Sequence, residues 1–183
     1  MKTIEVRIEG ISPLLQHRFP EEDQNSKSKK QSATSSDADI EKSLYKLPDG
    51  TIYQPAEHIM GALKSAGARF QIPGRRKTTY KNVVSSGFLI IEPIAIPHLK
   101  PRWEVDSRPV VNPSTKGRVL RKRPCFRDWA LSFRMIVDET EIPVEVLKEM
   151  LDLSGRSIGL GDYRPAKGGS FGRFIVSRFD LVK

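Results

Sequence analysis

Residues 129–137, WALSFRMIV, put Trp129, Leu131, Phe133, Met135 and Val137 on one side and Ala130, Ser132 and Arg134 on the other. A two-residue period belongs to a strand with one buried face, because successive side chains point to opposite sides of a sheet. KTIEVRIEGI at the start repeats it, with Ile4, Val6 and Ile8 inward and Thr3, Glu5, Arg7 and Glu9 outward. Between the two, PAEHIMGALKSAGARF carries Ile59, Leu63, Ala66 and Phe70 at helical spacing. Pro55 suits the start of that helix, where its missing N–H would have had no partner. SSGFLIIEPIAIP reads as a buried strand ended by prolines, PVEVLKEMLDLSG as a second helix from Pro143 to Gly155, and RFIVSRFDLV as a closing strand. Two short β-like runs flank the Pro48-Asp49-Gly50 turn. The order is β-α-β-β-α-β, an α+β, ferredoxin-like arrangement of the kind found in RNA-recognition motifs. It implies a single domain over 1–183, with two helices on one face of a sheet and the other face open to a ligand.

Charge is distributed unevenly along this frame. The chain has a formal net charge of +9 and a pI near 9.8. Residues 100–127 hold nine basic side chains against Glu104 and Asp106, a net +7. RPVVNPSTKGRVLRKR within that insertion predicts two strands joined at Asn112–Gly117, a protruding basic hairpin with Trp103 and Phe126 near its base. A second cluster, Arg75, Arg76 and Lys77, follows the first helix. Cations interleaved with aromatic rings suit single-stranded nucleic acid, the cations for phosphates and the rings for bases. By contrast, 20–42 is polar, with no aliphatic residue larger than Ala33 between Glu21 and Ser36, and is expected to be a disordered insertion.

Several chemistries are excluded. One cysteine, Cys125, allows neither an internal disulfide nor a cysteine-based zinc site. His17, His58 and His98 lack ligand spacing, so no metal site is expected. No apolar run is long enough to span a bilayer and no signal-peptide pattern opens the chain, so no membrane partner and a cytoplasmic location are expected. The stretch from Gly155 to Phe174, GRSIGLGDYRPAKGGSFGRF, is rich in glycine and arginine but fits no nucleotide fingerprint. GLGDYR has Arg164 where a third glycine belongs and runs into a strand. AKGGSFG lacks P-loop spacing, and GGSFG has no helix after it to make a nucleophile elbow.

The same stretch resembles the glycine-rich signature of the CRISPR-associated RAMP superfamily, G-x-G-x-x-x-x-G-[FY]-G-[RK] before the final strand. Gly159, Gly161, Gly168, Gly169, Gly172 and Arg173 match it in kind. YQPAEHIMGALKSAGARF is similar to a second family segment, with Pro55, Gly61 and Lys64 in corresponding places, and VRIEGISPLLQH to the family's first strand and loop. The resemblance implies an RNA-binding backbone subunit, arrayed head to tail along a CRISPR RNA, with the 100–127 hairpin as its thumb. It implies as partners CRISPR RNA or other single-stranded RNA, further copies of the chain, and other effector subunits.

On this reading the RNA-facing residues are His17, Arg18, Lys64, Arg75, Arg76, Lys77, Arg108, Arg118, Arg121, Lys122, Arg123, Arg164, Lys167, Gly168, Gly169 and Arg173. The glycine amides would approach phosphates, and the open sheet face would lie against RNA. Charge reversal at Arg121, Lys122 and Arg123 should then weaken binding without harming the fold. Trp103, Val110, Val111 and Phe126 are the expected joint between copies. No cofactor is needed for such a role. One alternative is an endoribonuclease using Asp37 or Asp39 with Mg²⁺. Another is a standalone RNA-binding or interference module of a mobile element.

Overall fold

The computed structural model describes residues 1–18, 40–111 and 117–182. In chain order it runs β1 (Lys2–Gly10), β2 (Leu14–Leu15), β3 (Tyr53–Pro55), α1 (Ala56–Gly67), α2 (Tyr80–Val84), β4 (Leu89–Glu92), β5 (Ala95–Pro97), β6 (Glu104–Val111), β7 (Arg118–Phe126), β8 (Ala130–Val137), α3 (Val144–Leu153) and β9 (Phe174–Val182). The two alternating runs are neighbours. β1 pairs antiparallel with β8, so Ile4 faces Met135, Val6 faces Phe133 and Ile8 faces Leu131 across one buried face. β9 pairs with the other edge of β1, and β4 with β8, giving an antiparallel sheet in the order β4-β8-β1-β9. Ile59, Leu63 and Ala66 of α1 and Leu147, Met150 and Leu151 of α3 join that face in one core. Each leucine, isoleucine or methionine among them, fully buried, contributes about 1.5–3 kcal/mol.

The basic insertion forms a second sheet, β2-β7-β6. Leu14 pairs with Phe126 and Leu15 with Cys125, and this seats the base of the β6–β7 hairpin against the domain. β3 and β5 make a third, two-stranded sheet.

Local departures from expectation have identifiable causes. SSGFLIIEPIAIP is two strands, because Pro93 has no N–H to continue a ladder; β4 joins the large sheet and β5 pairs with β3. Pro55 is extended (φ −59°, ψ 134°) and belongs to β3, so α1 begins one residue later. The second helix ends at Leu153 and passes into a wide turn over Ser154–Ile158. Helix α2 was not legible, since five residues are too few for a period to register. Of the expected disordered segment, 20–39 lies outside the described residues, and Ile40 near its end is buried in the core.

Candidate functional site

Backbone geometry explains the bare loop before β9. Gly172 has φ 69°, and a Cβ there would collide with the Leu160 carbonyl. Its amide donates to the Pro13 carbonyl at 2.7 Å, while the Leu160 amide donates to the Gly172 carbonyl at 2.9 Å. Gly161 (φ 71°) lies against the Leu15 carbonyl, which also accepts the Asp162 amide at 2.9 Å. The loop is thus sewn onto the segment after β1. This corrects the expectation that the glycine amides reach for phosphate. The amides of Gly168 and Gly169 donate to the carbonyls of Pro165 (3.0 Å) and Arg164 (3.1 Å). Only Gly168, exposed and with open space around it, is not held by close packing.

The hairpin's register sorts its cations. Asp106 is opposite Arg123 and Arg108 opposite Arg121 on the face toward the glycine loop; Ser107 is opposite Lys122 and Val111 opposite Arg118 on the other. Arg108 forms a bidentate pair with Asp106 (2.6 Å each) and stacks 4.5 Å from the Phe171 ring centre. Arg123 is 4% exposed, with Nε 2.7 Å from Asp162 Oδ2. Burial is the main influence on it, pushing its pKa below the usual arginine value, against Asp162. Arg123 therefore ties hairpin to loop and does not face solvent. The triple charge reversal at Arg121, Lys122 and Arg123 would break this pair and harm the fold. Asp162→Ala, which strands a buried guanidinium, should lower stability by about 2 kcal/mol in a urea titration, after discounting for the partly exposed carboxylate. Arg123→Met should be milder, since it removes the charge that burial penalises.

Between the hairpin and the helices lies a cleft of about 450 Å³. Its walls are Gln16 and His17 after β2, Tyr45, one side of α1 (Glu57, His58, Gly61, Ser65), Ile158–Asp162 and Arg164 of the glycine loop, and Arg121 of β7. Arg164 is anchored through Nη1 to the Gly161 carbonyl at 2.9 Å. Arg121 has no acidic partner among the described residues. His17 and His58 are both held below the ordinary histidine range, mainly by burial; Arg121 and Arg123 add to this at His17 against Asp162, and Arg164 at His58 against Glu57. Among the described residues lining the cleft, Arg121 and Arg164 are its fixed positive charges.

The remaining predicted residues scatter. Lys64 is exposed on α1, and Arg75, Arg76 and Lys77 are exposed in the turn after it; none lines the cleft. Arg18 is half-buried next to His17, its amide bonded to the Ser43 carbonyl. Lys167 is exposed on the loop. Arg173 is held by its own loop, donating to the Arg156 carbonyl at 3.0 and 2.8 Å. Phe126 is fully buried, stacked on His98 at 4.4 Å, and offers neither a free ring nor a joint between copies; Trp103 is half-buried, packed against the core. Among the described residues, the exposed aromatic near the hairpin is Tyr163, which lies on the loop and was not anticipated. Gln16, Tyr45, Gln54 and His58 were also missed as a set; only the four-residue spacing of Gln54 and His58 hinted at contact.

The open face of the large sheet is also unlike the expectation. Its charged residues are Glu5, Arg7, Glu9, Glu92, Arg134, Arg178 and Asp180, paired as Arg7–Glu9, Arg178–Glu5, Arg178–Asp180 and Arg134–Glu92 at 2.7–3.5 Å. A face so neutralised, and without aromatic rings, has little to attract a polyanion. Asp37 and Asp39 lie outside the described residues. Among the described residues, no three His, Cys, Asp or Glu side chains form a group that could hold a metal ion, and no helix is long and apolar enough to cross a membrane.

Among the described residues, these elements define an α+β domain with antiparallel sheets, helices packed on the large sheet and an appended basic hairpin. No protein-family model matches the chain, and no curated protein matches it significantly. Among solved structures it is similar to a chain in the cryo-EM structure of the Type III-B Cmr-beta bound to cognate target RNA. The TM-score is 0.59 and the identity 13%; the match covers all of this chain and 61% of that one.

Proposed function

We propose that this chain is a RAMP-type protein that binds single-stranded RNA, CRISPR RNA being the fitting partner, in the cleft between its glycine loop, α1 and the hairpin. One observation carries the reading. The three segments that resemble the family, far apart in sequence, supply adjoining walls of one cleft, with Arg121 and Arg164 on it. The sheet order β4-β8-β1-β9, with α1 between β1 and β4 and α3 between β8 and β9 in the chain, supports a ferredoxin-like topology. The likeness to a chain of an RNA-bound effector supports RNA, and other effector subunits, as partners. The strand would run through the cleft and out along the hairpin. It would pass exposed Tyr163, whose ring is open to stacking, and cross the hairpin's edge to Arg118 and Lys122 on its other face, which have no acidic partner among the described residues.

Arg121→Gln and Arg164→Gln should each weaken binding of a short oligouridylate about tenfold at low salt. Fluorescence anisotropy measures this, with thermal denaturation as a control for folding. Unchanged affinity in both variants would remove the cleft from the RNA path.

A backbone role, head to tail along RNA, is the finer part of this reading. Its support is the exposed apolar surface on the hairpin, Val105, Val111 and Leu120 at 43%, 59% and 49%. Of the residues first expected at that joint, Val111 alone is strongly exposed. Light scattering on RNAs of increasing length decides it: mass that grows with length supports the array, and a monomer on every RNA ends it.

A further inference from the structure

One wall of the cleft contains a chain of side-chain amides with a single direction. Gln16 Oε1 accepts the backbone N–H of Tyr45 at 3.0 Å, which sets the orientation of that amide. Gln16 Nε2 then lies 2.9 Å from the Tyr53 carbonyl, 3.2 Å from Gln54 Oε1 and 3.2 Å from His98 Nε2. Its two hydrogens are shared among these three, and because an amide nitrogen only donates, none of the three can present a donor to it. Gln54 therefore turns its oxygen to Gln16 and its nitrogen to His58 Nδ1. Nδ1 must accept in turn, and the one proton of the neutral ring is left on Nε2. Gln16 and Gln54 are 1% and 0% exposed, so neither amide can turn over without leaving buried polar atoms unpaired. At the end of the chain, His58 Nε2–H has, among the described residues, only the Tyr45 hydroxyl, at 3.5 Å, beyond the length of a good hydrogen bond.

We propose that His58, locked as its Nε2–H tautomer by Gln16 and Gln54, is a neutral hydrogen-bond donor to a phosphate oxygen of RNA in the cleft, held jointly with Arg121 and Arg164. The proposal rests on the RNA-binding reading. Phosphate is favoured because both guanidinium groups line the same cleft as His58. Protonation would place an N–H on Nδ1 against the N–H₂ of Gln54, donor against donor. Of the groups facing the ring, Arg164 also opposes protonation, Glu57 favours it, and Tyr45 stays neutral. The arginines thus supply charge and His58 supplies direction. With its lone pair held by Gln54, His58 is not placed to act as a general base.

The test is oligouridylate binding across a salt series near neutral pH, for wild type, His58→Leu and Arg121→Gln, with nitrogen-15 NMR of the wild-type histidines. His58→Leu should weaken binding about tenfold at every salt concentration without changing the slope of log K against log salt. Arg121→Gln should make that slope shallower by about 0.7, as expected for one lost phosphate contact on a single strand. In the NMR spectrum, His58 Nδ1 should carry the shift of an unprotonated nitrogen and Nε2 that of a protonated one, with a midpoint below 6.5. Gln54→Leu should release the ring to a mixture of tautomers. The opposite tautomer in the wild type, a slope lowered by His58→Leu, or RNA that binds wild type and His58→Leu alike would overturn the proposal. If wild type binds no RNA at all, the RNA-binding reading falls and the donor role with it. The NMR result, which needs no RNA and no variant, judges the tautomer separately.

Discussion

Gly172→Ala is expected to lower the stability of the domain by about 3–5 kcal/mol, a large part of the ~5–15 kcal/mol that holds a domain folded. Two penalties combine. A left-handed backbone costs a residue with a Cβ about 1–2 kcal/mol. The added carbon would also enter the Leu160 carbonyl, a backbone group fixed by its neighbours. Relief would require breaking the 2.7 Å bond to Pro13 that holds the loop to the segment after β1. Gly168→Ala is the control. It shares the positive φ, 77°, but has open space around it, so only the conformational cost of about 1–2 kcal/mol applies. Urea denaturation of both variants measures the difference. Equal effects would mean that the loop is not packed as described, and with it the adjoining cleft wall.

Stability should also fall steeply on mild acidification. His98 is 6% exposed, stacked on Phe126, and burial pushes its pKa down from 6.5 to about 4. The unfolded chain therefore binds a proton near pH 6.5 that the folded protein refuses until about pH 4. Its contribution is complete above pH 6.5 and is lost as pH falls from there to about 4, a difference of roughly 3 kcal/mol. His17 and His58 are shifted in the same direction and act in the same sense. His98→Gln removes the titrating group while offering Gln16 an acceptor. It should flatten the profile of denaturation free energy against pH over that window, whatever it does to stability at neutral pH. An unchanged profile would show that His98 is not buried neutral.

What could be read from the chain, and what could not, follows from the range of the interactions. The alternation in 3–8 and 129–137 made both strands and their buried faces legible, because period-2 burial is written residue by residue. The hairpin was legible from its two runs, which pair as β6 and β7; of the turn expected at Asn112–Gly117, 112–116 lie outside the described residues. Arg123 was not: it looks like its neighbours Arg121 and Lys122, and its burial depends on Asp162, brought near by the loop's fold and not by sequence spacing. The glycine loop was legible as a special backbone, but its reason was misread. Composition suggested a bare surface for phosphate, whereas Gly161 and Gly172 are bare so that the Leu15 and Leu160 carbonyls can approach. The amide chain from Gln16 to His58 joins residues 38 positions apart at one step, and no local pattern announces that.

Binding of single-stranded RNA by the wild-type protein across a salt series tests the central claim most directly. Arg121 and Arg164 in the cleft, with Arg118 and Lys122 along the hairpin, can neutralise several phosphates. Counterion release then predicts that log K falls with log salt with a slope of about −3. The slope should become shallower when the cleft arginines are replaced and stay as it is when Arg7 or Arg134 on the paired sheet face are. Binding that hardly changes with salt, or no binding at low salt, would contradict the account.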